Sequence, residues 1–168
     1  CSSDLMVYLV ATMLRKAHEV VEAEGDSLFG SSNDDAWKRL MLTPYDFDVD
    51  AINNEVTRSI MEIIEFKHGG ESYDQAYPDG IPTSINIEIK GGSVLESGVI
   101  MYPSGHARNT TCNLRDILQS KFEMHGNIAM DDPSPVIERC LIVGSMDAGA
   151  VDSLWDIKLA DRPVFKDR

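Results

Sequence analysis

The chain has 168 residues, 43% of them hydrophobic and 26% charged, enough for one folded domain with a core and too apolar for a disordered segment. Acidic residues outnumber basic ones by 28 to 15, and the net charge of −13 sets up a field that repels nucleic acids, anionic membranes and anionic metabolites. An anionic ligand would therefore need a local concentration of positive charge.

From Leu5 to Leu14, "LMVYLVATML", every residue except Thr12 is apolar or aromatic, so a helix here needs cover all round rather than along one stripe. The following "RKAHEVVEAE" continues it with charge, and Gly25 can end it in the left-handed conformation. The apolar run is about half the length that a membrane span needs, so no membrane partner is expected. The chain supplies little to wrap this helix and opens without Met, which points to a longer parent protein.

After a polar linker at 25–35, "DAWKRLML" predicts a short helix with Trp37, Leu40 and Met41 on its inner face, ended or restarted by Pro44. A helix is expected over 49–61, and "MEIIEFKHG" then reads as a strand with Ile64 and Phe66 on one face. Residues 69–82 read as a turn-rich loop. "TSINIEIK" alternates Ile85, Ile87 and Ile89 with polar residues, and Gly91-Gly92 offers a hairpin turn into "SVLESGVIMY". Together these predict an antiparallel sheet of about three strands with one face under helix. Asn113 can cap a helix carrying Leu114, Ile117, Leu118 and Phe122 and ending near Gly126, and two more helices are expected at 134–144 and 148–158. This order predicts an α+β fold.

The clearest candidate site is a basic island in an acidic chain. His106, Arg108, Arg115 and Lys121 fall within sixteen positions, the first two in a Gly-containing connection ahead of a helix N-terminus, where backbone N–H groups and the dipole favour an anion. The competing reading is a loop whose His and Arg pair with the chain's own carboxylates. Tyr73, Asp74, Tyr77 and Asp79 could supply an acid or base, although Pro-Asp-Gly is first of all turn chemistry. Tyr8 could point a hydroxyl into a cleft or serve as a core tyrosine with one hydrogen bond.

His18, His68 and His125 stand alone, without a second His or Cys at ligand spacing, so no metal is expected. Cys1, Cys112 and Cys140 are odd in number and far apart, which excludes a disulfide framework and a zinc or iron–sulfur spacing. Cys112 and Cys140 read as buried thiols, and a reducing, intracellular compartment is expected, cytoplasmic or, in a eukaryote, mitochondrial. Asn109-Thr110-Thr111 matches a glycosylation acceptor by chance. The chain has no nucleotide-binding glycine loop, no nucleophile elbow and no aromatic–basic interleaving, so no nucleic-acid partner is expected.

Four strings taken in order narrow the function: "MVYLVATMLRKA", "YPDGIPTSINIEI", "GVIMYPSGHARN" and "ILQSKFE". At these spacings the chain resembles the C-terminal part of the MmgE/PrpD family, the 2-methylcitrate dehydratases and their cis-aconitate decarboxylase relatives, from about residue 4 to 125. "YP-x-GH" followed by a helix bearing "KF" is the more specific element. The resemblance implies a homodimeric enzyme in which a large helical domain carries a smaller α+β lid. In that frame 1–25 links to the helical domain, 26–130 forms the lid, and 131–168 returns to the helical domain.

The implied reaction is loss of water from a hydroxy-tricarboxylate in propionate catabolism, the methylcitrate cycle, without cofactor or iron–sulfur cluster. The principal catalytic residues would lie upstream of Cys1, and the fragment alone would be inactive. His106, Arg108 and Tyr8 would be the substrate-binding residues here, and the partners would be the helical domain, a tricarboxylate and a second copy. One departure is local: the family's opening helix commonly carries a His four positions before its Tyr, and here that position is Asp4. The alternatives are a cis-aconitate decarboxylase-like member and a non-catalytic binding or structural module.

Overall fold

The computed structural model describes residues 2–25 and 32–161, so Cys1 and most of the polar linker lie outside the described residues. Helix α1 spans Ser2–Glu24, and Gly25, at φ +69°, ends it as expected. Its apolar run is covered on one side only. Tyr8, Ala11 and Thr12 are buried, α1 packing chiefly against α4 (Glu55–Met61), while Leu5, Met6, Met13 and Leu14 remain exposed.

The Thr12 hydroxyl is fully buried and has no hydrogen-bond partner among the described residues. A buried unpaired hydroxyl costs about 1–3 kcal/mol, and Val has the same shape and a similar helix propensity. Thr12→Val is therefore expected to raise stability by about 1 kcal/mol. Denaturant unfolding of the two chains measures this, and a lower midpoint for the variant would show that the hydroxyl is paired after all.

Helix α2 spans Asn33–Leu40, capped by Ser32, whose Oγ accepts from Asp35 N at 3.2 Å. Trp37, Leu40 and Met41 are half-buried. The next turn, a 3-10 helix over Pro44–Phe47, is where Pro44 restarts helical structure. Asp46 organises it. Its Oδ2 accepts from Thr43 N at 2.7 Å, from Thr43 Oγ1 at 3.2 Å and from Lys16 Nζ at 3.1 Å, while its backbone carbonyl accepts from Tyr8 Oη. Lys16 Nζ also donates to Met41 O at 2.9 Å, so α1 is tied at two points to the segment that follows α2.

The single helix expected over 49–61 is two, α3 (Val49–Ile52) and α4. Asn54 accepts from Thr57 N at 3.0 Å and starts a new helix rather than continuing the old one. The strand expected over 61–69 does not form: of its predicted face Ile64 is half-buried and Phe66 exposed, with no strand pairing beside them among the described residues. The predicted loop at 69–82 contains a short helix, α5 (Glu71–Ala76), begun at Gly70 with φ +68°.

Strands β1 (Asn86–Glu88) and β2 (Val94–Glu96) pair antiparallel with Ile87 opposite Leu95, joined through Gly91 and Gly92 at φ +111° and +84°. This is the expected hairpin, but it makes a sheet of two strands, not about three. A bulge also shortens it. Ser97 Oγ accepts from Ile85 N at 2.8 Å where a backbone carbonyl would have stood, and Gly98 adopts φ +65°. The pairing resumes one residue out of step as a single Thr83–Ile100 bridge. Among the described residues no helix covers the isoleucine face: Ile85, Ile87 and Ile89 keep 39–46% of their surface.

Helix α6 (Leu114–Ala129) is capped by Asn113, as expected, with Oδ1 accepting from Asp116 N at 3.3 Å. Of its predicted apolar stripe only Ile117 is buried, and Leu118 and Phe122 are exposed. The helix runs past Gly126, which serves close packing rather than termination. A Cβ there would lie 2.6 Å from Pro133 Cβ, ahead of α7 (Ser134–Ile142). Gly126→Ala is expected to cost about 1–3 kcal/mol by forcing α6 and α7 apart. Urea unfolding checks this, an unchanged midpoint being the contrary result.

The expected helix at 148–158 is shorter, α8 (Ala148–Val151) running into a 3-10 turn over Asp152–Trp155. Ala160 N donates to Ala129 O at 2.8 Å and fastens this segment to the end of α6. Mostly helical elements with one small antiparallel hairpin make an α+β fold.

Candidate functional site

Beyond the Thr83–Ile100 bridge, Ile81 N donates to Met101 O at 2.9 Å, and the chain then turns twice before α6. His106 N donates to Pro103 O at 2.8 Å, and Asn109 N donates to His106 O at 2.9 Å. Tyr102 sits at the root of these turns. Its ring stacks on His106 with centroids 4.9 Å apart and planes at 27°, and the Arg108 guanidinium lies 6.0 Å from the same ring. His106 Nδ1 accepts from Arg108 N at 3.1 Å, which leaves Nε2 as the nitrogen that carries the proton in the neutral ring.

Both strands of the basic-island reading are therefore visible in one place. His106 and Arg108 are brought together as a donor and a cation, as an anion site would need. Arg108 also faces a carboxylate: its Nη1 donates to Asp79 O at 3.4 Å, and Nη2 lies 3.9 Å from Asp79 Oδ1. The Tyr102 hydroxyl and then the Asp79 carboxylate raise the guanidinium above its ordinary pKa, keeping it charged. Arg115 and Lys121 are exposed on α6, with no described contact to His106 or Arg108.

Tyr8 does not join this loop. It is buried on α1, meets Phe47 at 5.9 Å with the rings tilted by 50°, and gives its hydroxyl to Asp46 O, the arrangement of a core tyrosine rather than of a cleft. His68, isolated in sequence, acquires neighbours: Nδ1 accepts from Gly70 N at 3.1 Å, Nε2 lies 3.5 Å from Asp74 Oδ1, and the ring meets Tyr73 edge-on at 5.2 Å. Both nitrogens are engaged, so this cluster holds the start of α5 rather than offering a free base. Tyr77 stacks on Tyr73 at 6.0 Å and extends the same aromatic row.

The expectation of two buried thiols is corrected. Cys140 is exposed on α7, whose buried residue is Val136, and Cys112 is half-buried with its Sγ 3.3 Å from Ser104 Oγ. Among the described residues no group of three or more His, Cys, Asp or Glu side chains is placed to hold a metal ion, and no helix is long and apolar enough to cross a membrane. An open depression on α4 lined by Glu55, Val56, Ser59, Ile60 and Ile63 includes none of the candidate residues.

Sequence reasoning passed over Tyr102 and the structural use of Asn109. The available signals were Tyr-Pro at the break of the strand and Asn ahead of Thr-Thr, a pattern that favours side-chain-to-backbone turns. No family model matches the chain, and no curated protein or solved structure matches it either.

Proposed function

We propose that this chain is the lid region and flanking helices of a 2-methylcitrate dehydratase-like hydro-lyase that removes water from a hydroxy-tricarboxylate. The observation that carries the reading is the order and spacing of "YPDGIPTSINIEI", "GVIMYPSGHARN" and "ILQSKFE". The described loop supports it in one respect: the Arg108 guanidinium and the His106 imidazole both lie against the Tyr102 ring, two groups suited to a substrate carboxylate.

In such a reaction a base removes the proton α to a carboxylate while an acid assists departure of the hydroxyl. Those two groups belong to a separate helical domain of the proposed parent. Arg108 and His106 contribute binding and orientation, and the parent acts as an intracellular homodimer without cofactor. Among the described residues five apolar side chains are buried and 28 large ones are exposed, more uncovered apolar surface than a self-sufficient domain carries. This favours a reading in which another unit covers them.

The test is an assay of the full-length parent for 2-methyl-cis-aconitate, followed by absorbance of the conjugated product. Turnover is the expected result, and no turnover with any tricarboxylate overturns the reading. Loss of carbon dioxide instead of water, seen by product mass, would assign the decarboxylase branch. The Arg108–Asp79 contact favours a second reading, a non-catalytic module whose basic island is already neutralised within the chain. Saturable binding of a protein partner that is independent of any helical domain would support that second reading.

A further inference from the structure

Between Tyr102 and Cys112 the chain makes two turns with little burial, yet His106 and Arg108 are held in one arrangement. One side chain accounts for this. Asn109 is half-buried, and its Nδ2 donates to Tyr102 O at 2.7 Å, seven residues back. Its Oδ1 accepts from Thr111 N and Cys112 N, both at 2.9 Å, and from Thr111 Oγ1 at 3.2 Å. The amide thus joins the strand end to the approach to α6, with His106 and Arg108 lying between the two joined points.

The geometry points to Asn109 as the positioning residue of this loop, holding the His106 ring on Tyr102 with Nδ1 against Arg108 N–H, so that His106 and the Arg108 guanidinium are both kept at the Tyr102 ring. The role requires a donor and an acceptor on one short planar group. Asp would keep the bonds to Thr111 and Cys112 but set an acceptor against the Tyr102 carbonyl, and Gln would misplace both ends by a methylene. Because Nδ1 is occupied by the backbone N–H, the neutral ring is confined to the Nε2–H tautomer. The purpose given to this arrangement, gripping a carboxylate, rests on the function proposed above; the tautomer and its dependence on Asn109 do not.

The experiment is long-range proton–nitrogen correlation on the intact chain labelled with ¹⁵N-histidine, at a pH where the imidazole is neutral, followed by titration with citrate. In the native chain the His106 nitrogens should show the pattern of a pure Nε2–H tautomer. In Asn109→Ala the two shifts should move towards each other as tautomers mix, while the signals of His18 and His125 stay in place and report an intact fold. Asn109→Asp, which keeps the acceptor half of the tie, should show the same mixing. It decides the matter if the Ala variant fails to fold.

An unchanged His106 pattern in the folded variant overturns the positioning role. Citrate should perturb His106 in the native chain and bind about tenfold more weakly to the variant. Equal citrate affinity in both, with tautomers mixed in the variant, overturns the carboxylate grip as the purpose of the tie and leaves the tie standing. If citrate leaves the native His106 unmoved while the variant still mixes tautomers, the tie stands and the carboxylate-binding reading fails.

Discussion

Replacing Arg108 by Ala in the full-length parent is expected to raise the Michaelis constant for a tricarboxylate by about 10- to 100-fold, with little change in melting temperature. A substrate carboxylate that loses its guanidinium partner loses a charge-assisted hydrogen bond that no neighbouring cation replaces within this loop, since Arg115 and Lys121 stand apart on α6. The contact given up within the chain is weak by comparison. Arg108 and Asp79 are 57% and 85% exposed and 3.9 Å apart, a screened pair on the surface. Kinetics and thermal unfolding of the same variant separate the two readings. A clear drop in melting temperature with unchanged kinetics would retire the ligand-binding role and leave Arg108 as a structural partner of Asp79.

Asp46→Ala should lower the unfolding free energy of the chain by about 2–3 kcal/mol. The substitution removes the carboxylate that caps the 3-10 turn through Thr43 N, worth about 1 kcal/mol by itself. It also strips Lys16 of its anion at a place where the two side chains are only 20% and 12% exposed. Lys16 keeps its bond to Met41 O, which limits the loss. Chemical denaturation of the described chain gives the number. A change below about 0.5 kcal/mol, the range of ordinary surface substitutions, would show that the tie between α1 and the segment after α2 is not formed in solution.

Several elements were legible because their determinants lie within a few residues of one another. Gly25 ends α1, Asn113 starts α6, Pro44 restarts helical structure, and Gly91-Gly92 turns the hairpin, each by satisfying or releasing a backbone group within four positions. The readings that failed at this level had a local rival. Asn53-Asn54 interrupts a helical pattern with a new cap, and Ser97-Gly98 interrupts an alternating pattern with a bulge. Apolar periodicity registers neither event, because one extra residue changes the hydrogen bonding without changing the composition.

The candidate site divides in the same way. The basic island at His106 and Arg108 was visible as charge in an acidic chain, and so was its place ahead of a capped helix. Its supports were not. Asn109 reads in sequence as a loop residue, and only the folded loop brings Tyr102 O within reach of its amide. Tyr8 has the same composition whether it lines a cleft or fills a core, and the choice is made by Asp46, 38 positions away.

The sequence by itself determined the end of α1 at Gly25, the restart at Pro44, the hairpin turn at Gly91-Gly92, the start of α6 at Asn113 and where positive charge collects, since caps, turns and local charge are properties of near neighbours. The tertiary structure alone decided which polar groups meet. Lys16 reaches Asp46, Asp34 receives Asn113 N at 2.9 Å across 79 positions, and Lys38 reaches Asp116 at 2.6 Å. Such pairs depend on how α1, α2 and α6 are set against one another, and that placement follows from packing over the whole chain rather than from any stretch of it.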